Sequence, residues 1–314
     1  MESTTLSNGV SVPVLGLGVY RTPPRETERC VREAVEVGYR LIDTAQYYRN
    51  EEGVGRAVRG AMADGVARED LFVTTKLATS GYRAGRRAIE SSLRALDLDW
   101  IDLMLIHWPH GDDARTWQAL EEACSAGLLR SIGLSNFYGR QVEEIVRAAE
   151  ILPVVDQVET HVLYQQRRLA RLLDPHGIRI EAWSPLGAGD SDLLAHPVLA
   201  RIARDHGATP AQVALAFQVR TGVITIPKTV HHERMVDTPR VVDSPVESLT
   251  SLLNQAPAAR TSVPSESSLP TPEPVTLTEP DSLGVRSTML WAQKIVLILV
   301  TSFSSRKGAA SLSL

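Results

Sequence analysis

With 314 residues and a hydrophobic share of 43%, the chain can bury one large barrel core or two ordinary ones, and its composition is that of a soluble globular protein. A net charge of -4 excludes the basic surplus that a nucleic-acid surface needs, so no polyanion partner is expected. Two cysteines, Cys30 and Cys124, lack metal-ligand spacing and a companion pair; both read as small buried hydrophobes, which suits a reducing cytoplasm.

The amino terminus, MESTTLSNGVSVP, lacks the basic patch and apolar core of a signal peptide, so the protein is expected to stay in the cytoplasm. The first predicted element is a hairpin over TTLSNGVSVPVLGLG, turning at Asn8-Gly9. Strand candidates follow at VLGLGVY, LIDTA, LFVTTKL, IDLMLIHW, SIGLSN, VVDQVE, IRIEAWSP and VITIPK. Helical patterns lie between them: RETERCVREAVEVG, NEEGVGRAVRGAMAD, RRAIESSLRALDL, TWQALEEACSAGL, RQVEEIVRAAE, QRRLARLLDPHG and ATPAQVALAFQVRTG. This alternation predicts a parallel sheet with crossover helices, and eight strands predict a closed (β/α)8 TIM barrel. A doubly wound open sheet would carry a G-x-G-x-x-G turn after its first strand; Gly16 and Gly18 lack the third glycine.

Polar residues mark the downstream ends of several strand candidates: Asp43 in LIDTAQYY with Tyr48 just beyond it, Lys76 in LFVTTKL, and His107 in LMLIHW. A barrel builds its active site from such positions. A tyrosine, with a reference pKa of about 10, is a poor acid near neutrality. A neighbouring ammonium should lower that pKa, and a carboxylate should keep the ammonium charged and in place; Lys76 and Asp43 suit these roles. An imidazole such as His107 can orient a carbonyl oxygen and stabilise charge growing on it. Each residue singly also suits a strand-end cap, packing, a surface charge or a core histidine; the set is far more specific.

The stretches IDTAQYYRNEEGVG, FVTTKL, LIHWP, SIGLSNF, EAWSPLG and ITIPKT, in this order, resemble the aldo-keto reductase family, and among its members the bacterial 2,5-diketo-D-gluconate reductases most. The resemblance implies an NADPH-dependent reductase of aldehydes, ketones or keto-sugars that works as a monomer without metal, membrane or nucleic acid. It implies Tyr48 as general acid, tuned by Lys76 and Asp43, with His107 orienting a substrate bound among Tyr20, His107 and Trp108. Ser135, Asn136 and Gln157 match residues that bond the nicotinamide carboxamide, and Trp183 matches the aromatic stacked on that ring. Ser184, Leu186 and Asp190 match the segment across the pyrophosphate. Lys228, Thr229 and Arg234 match the 2'-phosphate site, where a helix start and adjacent cations suit an anion, and Val230 between them matches a cofactor-binding position. There are departures: Asp156 stands where relatives usually have asparagine, Thr160 and Val162 replace larger or stiffer residues of the substrate-side loop, and the HWPHGDDARTW loop is short.

The resemblance runs from about Thr4 to Asp237, which divides the chain into a barrel over 1–237 and an atypical tail over 238–314. Eight of the 18 prolines but only two of the 21 glycines follow Asp237, and a segment so rich in proline, serine and threonine is expected to be disordered. One account is a reading-frame change. The other is a genuine ending, in which Ser244-Pro245-Val246-Glu247 forms a capping box for a short helix with Val246, Leu249, Leu252 and Leu253 on one face. The run IVLILV, extended from Met289 to Phe303, falls short of the about 20 residues of a membrane helix and reads as an aggregation hazard. The tail keeps a second reading open: a catalytically silent NADP-binding protein, or a barrel that cannot finish folding because its last helix is missing.

Overall fold

The computed structural model describes residues 2–189 and 191–238. A hairpin comes first, with β1 (Ser3–Thr5) antiparallel to β2 (Ser11–Pro13). Gly9 takes φ 84°, a left-handed conformation that glycine adopts without strain, as the Asn8-Gly9 turn requires.

Eight strands then form one parallel sheet in sequence order: β3 (Gly16–Gly18), β4 (Leu41–Asp43), β5 (Phe72–Leu77), β6 (Ile101–Ile106), β7 (Leu129–Ser135), β8 (Val155–Glu159), β9 (Arg179–Trp183) and β10 (Ile224–Thr225). Its two ends meet. Leu15 bridges Thr225 in parallel, the Thr225 N–H donates to the Val14 carbonyl at 2.9 Å, and the Gly18 N–H donates to the Pro227 carbonyl at 3.0 Å. The sheet is therefore a (β/α)8 barrel preceded by a hairpin.

Around it lie α1 (Pro24–Glu36), α2 (Glu51–Ala63), α3 (Tyr82–Leu96), α4 (Asp113–Ser125), α5 (Arg140–Ala148), α6 (Arg167–Leu173), α7 (Ser191–Leu194), α8 (Pro197–Asp205), α9 (Pro210–Arg220) and α10 (His232–Asp237). Thr209 caps α9 in a reciprocal box with Gln212, the signal that its sequence carries. Helices α7 and α8 are not among the helical patterns of the sequence. One is a four-residue helix, and the other is capped by the His196 ring, a residue type that does not advertise a helix start.

Strand periodicity decides what faces inward. Leu6 and Val12 of the hairpin pack with Leu41, Phe72, Leu103, Leu105 and Val155 into a plug at the lower end of the lumen. The alternate residues Ile42, Val73, Leu77, Met104 and Val158 pack under the helices. Every second residue above the plug therefore faces the lumen too: Asp43 after Leu41, Lys76 after Phe72, His107 after Leu105, Gln157 after Val155. Cys30 is buried as expected, but Cys124, in the last turn of α4, is only partly so; both are free thiols.

Among the described residues no helix is long and apolar enough to cross a membrane. Asp190 and the expectations for the tail, including the helix at Ser244 and the run after Met289, lie outside the described residues.

Candidate active site

Strand β4 delivers Asp43 at its last residue, and a turn of 3₁₀ helix over Gln46–Tyr48 brings Tyr48 back across the barrel mouth. From β5, the fully buried Lys76 ammonium donates to Asp43 Oδ1 at 2.6 Å, Asp43 Oδ2 at 2.8 Å and the Thr44 carbonyl at 2.8 Å. It lies 3.4 Å from the Tyr48 hydroxyl. The His107 ring stands edge-on to Tyr48, with centroids 5.7 Å apart. The four polar residues singled out in the sequence thus form one cluster at the carboxyl ends of the strands.

The electrostatics differ from the sequence expectation in one respect. Burial drives the Tyr48 phenol up to about 12; the Lys76 charge pulls it down, but desolvation of a phenolate in this site outweighs that pull. Tyr48 is accordingly a protonated group across the physiological range. Burial works against the Lys76 charge, yet Asp43 and Tyr48 hold its pKa above the ordinary lysine value. Burial also raises the Asp43 carboxyl, against the pull of Lys76 and of the Gln157 amide. Burial and the Lys76 charge push His107 well below its usual value, so its imidazole is neutral. His107 Nδ1 is buried with no hydrogen-bond partner among the described residues.

Aromatic rings form the wall around this cluster. Tyr20, 42% exposed, has its ring centroid 4.9 Å from that of Tyr48, and Trp108 lies against His107 at 4.0 Å. Tyr47, which the sequence reading did not single out, meets both His107 and Trp108 edge-on.

The residues matched to the nicotinamide site also come together. The Ser135 hydroxyl donates to the Gln157 carbonyl at 2.9 Å. Asn136, in a left-handed conformation with φ 62°, donates to the His107 carbonyl and the Ser135 hydroxyl, each at 3.0 Å, and accepts from the Trp183 indole at 2.9 Å. Amide, hydroxyl and indole groups so gathered suit a planar carboxamide and its ring. Ser184, at φ 50°, and Leu186 continue from β9, Leu186 packing beside the α8 and α9 core. Lys228 and Arg234 are exposed, Thr229 and Val230 half-buried, after β10 and at the start of α10; the Thr229 hydroxyl accepts the His231 N–H at 3.1 Å. Two exposed cations and a hydroxyl on one short segment have the chemistry that a phosphate needs.

Glu181 is a second group that the sequence reading passed over. It is fully buried in β9, in register with Gln157 and two residues before Trp183, so it shares their inward face. The available signal was its place in the strand candidate IRIEAWSP, in the same phase as Trp183. By contrast, the three substituted positions Asp156, Thr160 and Val162 lie off this cluster, whereas the short HWPHGDDARTW loop begins within it, at His107 and Trp108. Asp156 is out of phase and fully buried beneath the helices, where burial raises its carboxyl well above the ordinary range. Val162 packs into the α8 and α9 core. Thr160 lines a cavity of about 620 Å³ on the barrel flank between α6 and α9, which contains none of the four clustered residues. Among the described residues no three His, Cys, Asp or Glu side chains converge as metal ligands.

A sequence profile described as the Aldo/keto reductase family matches residues 14–248. The chain is 43% identical over 246 residues to a glyoxal reductase of Bacillus subtilis, with 77% of this chain and 87% of that protein covered. It is 40% identical over 241 residues to a methylglyoxal reductase of Yersinia pestis, covering 76% and 86%. Among solved structures, an aldo-keto reductase from a Medee basin deep-sea metagenome library superposes with a TM-score of 0.79 at 36% identity, covering 83% of this chain and 97% of that one.

Proposed function

The chain belongs to the aldo/keto reductase family, a family of oxidoreductases, and from that premise we propose that it is an NADPH-dependent reductase of small aldehydes and ketones. The observation that carries this reading is the Lys76 ammonium, bonded to both Asp43 oxygens and 3.4 Å from the Tyr48 hydroxyl. When bound, the cofactor supplies hydride to the carbonyl carbon. Ser135, Asn136 and Gln157 would hold its carboxamide, Trp183 its ring, Ser184, Leu186 and Asp190 its pyrophosphate, and Lys228, Thr229 and Arg234 its 2'-phosphate, with Val230 among the cofactor-binding positions.

The remaining steps belong to the protein. The neutral His107 imidazole orients the carbonyl oxygen towards Tyr48 and stabilises its growing charge. Tyr48, kept protonated by burial, gives that oxygen its proton, and Lys76 stabilises the phenolate left behind. Asp43 keeps Lys76 charged and immobile. Tyr20 and Trp108, with Tyr47, give the mouth an aromatic wall. The relatives that act on glyoxal and methylglyoxal support small dicarbonyls as the substrate class, with keto-sugars such as 2,5-diketo-D-gluconate as larger members. The proposal takes residues 1–237 as the catalytic domain of a cytoplasmic monomer.

The test pairs Tyr48→Phe with an NADPH titration followed by tryptophan fluorescence, since Trp183 would lie against the nicotinamide. NADPH should quench both proteins saturably and NADH more weakly, while turnover of methylglyoxal in the variant drops roughly 10²- to 10⁴-fold. Turnover unchanged in Tyr48→Phe would remove Tyr48 from the acid role.

A further inference from the structure

We propose that Glu181 is a positioning residue that acts through Gln157 to hold Asp43, and the Gln157 carboxamide itself, in a single orientation. The inference rests on the reductase reading. Gln157 Nε2 donates to Asp43 Oδ2 at 2.8 Å and to Glu181 Oε1 at 2.9 Å. Both N–H groups of the amide are thereby used, and its carbonyl oxygen is turned away from the two carboxyl groups. Asp43 receives Lys76 on both oxygens and Gln157 on Oδ2, so a rotation of Gln157 would alter the carboxylate that holds the ammonium beside Tyr48. Without an acceptor at position 181, one Gln157 N–H would be buried unpaired, and the amide would gain from turning.

The charged and titratable groups facing Glu181 are Asp43 from β4 and Lys76 from β5, with Gln157 from β8 joining them. Glu181 Oε2 is buried with no partner among the described residues. Burial and the Asp43 charge push the Glu181 carboxyl up to about 8. Near neutrality it is thus largely a neutral acid, which accepts from Gln157 without adding a second negative charge beside Asp43. Glutamine at this position would keep the acceptor, and methionine would remove it.

The experiment follows the Gln157 side-chain amide in the full chain by nitrogen-15 correlation spectroscopy, its signal assigned by its loss in Gln157→Met. In the wild type and in Glu181→Gln, both amide protons should be protected from exchange; in Glu181→Met one should exchange roughly tenfold faster or more. With NADPH and methylglyoxal, Glu181→Met should lose roughly tenfold in kcat with little change in KM, and Glu181→Gln should restore it. The wild-type rate should also decline above about pH 8, a limb that Glu181→Gln lacks. Unchanged protection in Glu181→Met overturns the contact, and lost protection with unchanged kcat and pH profile overturns its positioning role. A wild type that protects Gln157 as described but reduces no carbonyl overturns the reductase reading while leaving the contact standing.

Discussion

Lys76 and Asp43 are both buried, and each is tolerable there only because of the other. Removing one partner of such a pair strands a charge and typically costs about 3–5 kcal/mol. Glu181 feels the Lys76 charge but forms no ion pair among the described residues, and its linkage has a definite sign. Its folded value, about 8, lies above the ordinary 4.5, so between these pH values the unfolded chain releases a proton that the native state retains. Stability must therefore fall as pH rises through this window and level off above it. Glu181→Gln lacks this loss, so its stability relative to the wild type should increase from pH 5 to pH 8, by on the order of a few kcal/mol. Urea midpoints at the two pH values decide the matter, and a constant difference would count against a buried neutral acid.

At the scale of elements, α2 and α3 approach so closely that the contact depends on a missing side chain. A Cβ on Gly55, in the middle of α2, would run into the Leu96 backbone carbonyl at the end of α3. That carbonyl also accepts the Arg59 guanidinium at 2.7 Å, so it cannot easily shift. Gly60 in the same helix meets only the far end of the Arg32 side chain, which can swing aside. Gly55→Ala should thus cost about 1–3 kcal/mol through overpacking. Gly60→Ala should be neutral or gain up to about 1 kcal/mol from helix propensity. Thermal melts of the two variants compare them directly, and equal melting temperatures would mean that the α2–α3 contact relaxes freely.

For the whole molecule, the place where the first and last strands meet is the thinnest part of the barrel. β10 has two residues and β3 three, whereas β6 is a fully buried six-residue strand between two long neighbours. Local opening follows the number of hydrogen bonds and buried contacts that must be broken. The amides of Gly18 and Thr225 should exchange faster than that of Met104. Because Lys228 follows this seam directly, saturating NADPH should slow the first two more than the third. Equal protection of the seam and of β6 without cofactor would show that closure is as strong as the sheet interior.

Much of this was legible in the residues themselves. Strand and helix periods are local, so the hairpin at Asn8-Gly9, the run of eight strands and the strand-end positions of Asp43, Lys76 and His107 could be read without a third dimension. The likeness of short stretches in one order led to the same family that the profile over residues 14–248 identifies. Other features were decided by tertiary structure alone. Helix α8 starts on a histidine cap, Val162 and Thr160 turn away from the mouth, and Tyr47 and Glu181 join the cluster through neighbours distant in the chain. The acidity of Tyr48 is the clearest case. Its lysine neighbour could be inferred from a motif, but the net direction of the shift depends on how much water every surrounding element removes, and desolvation has no local sequence signature.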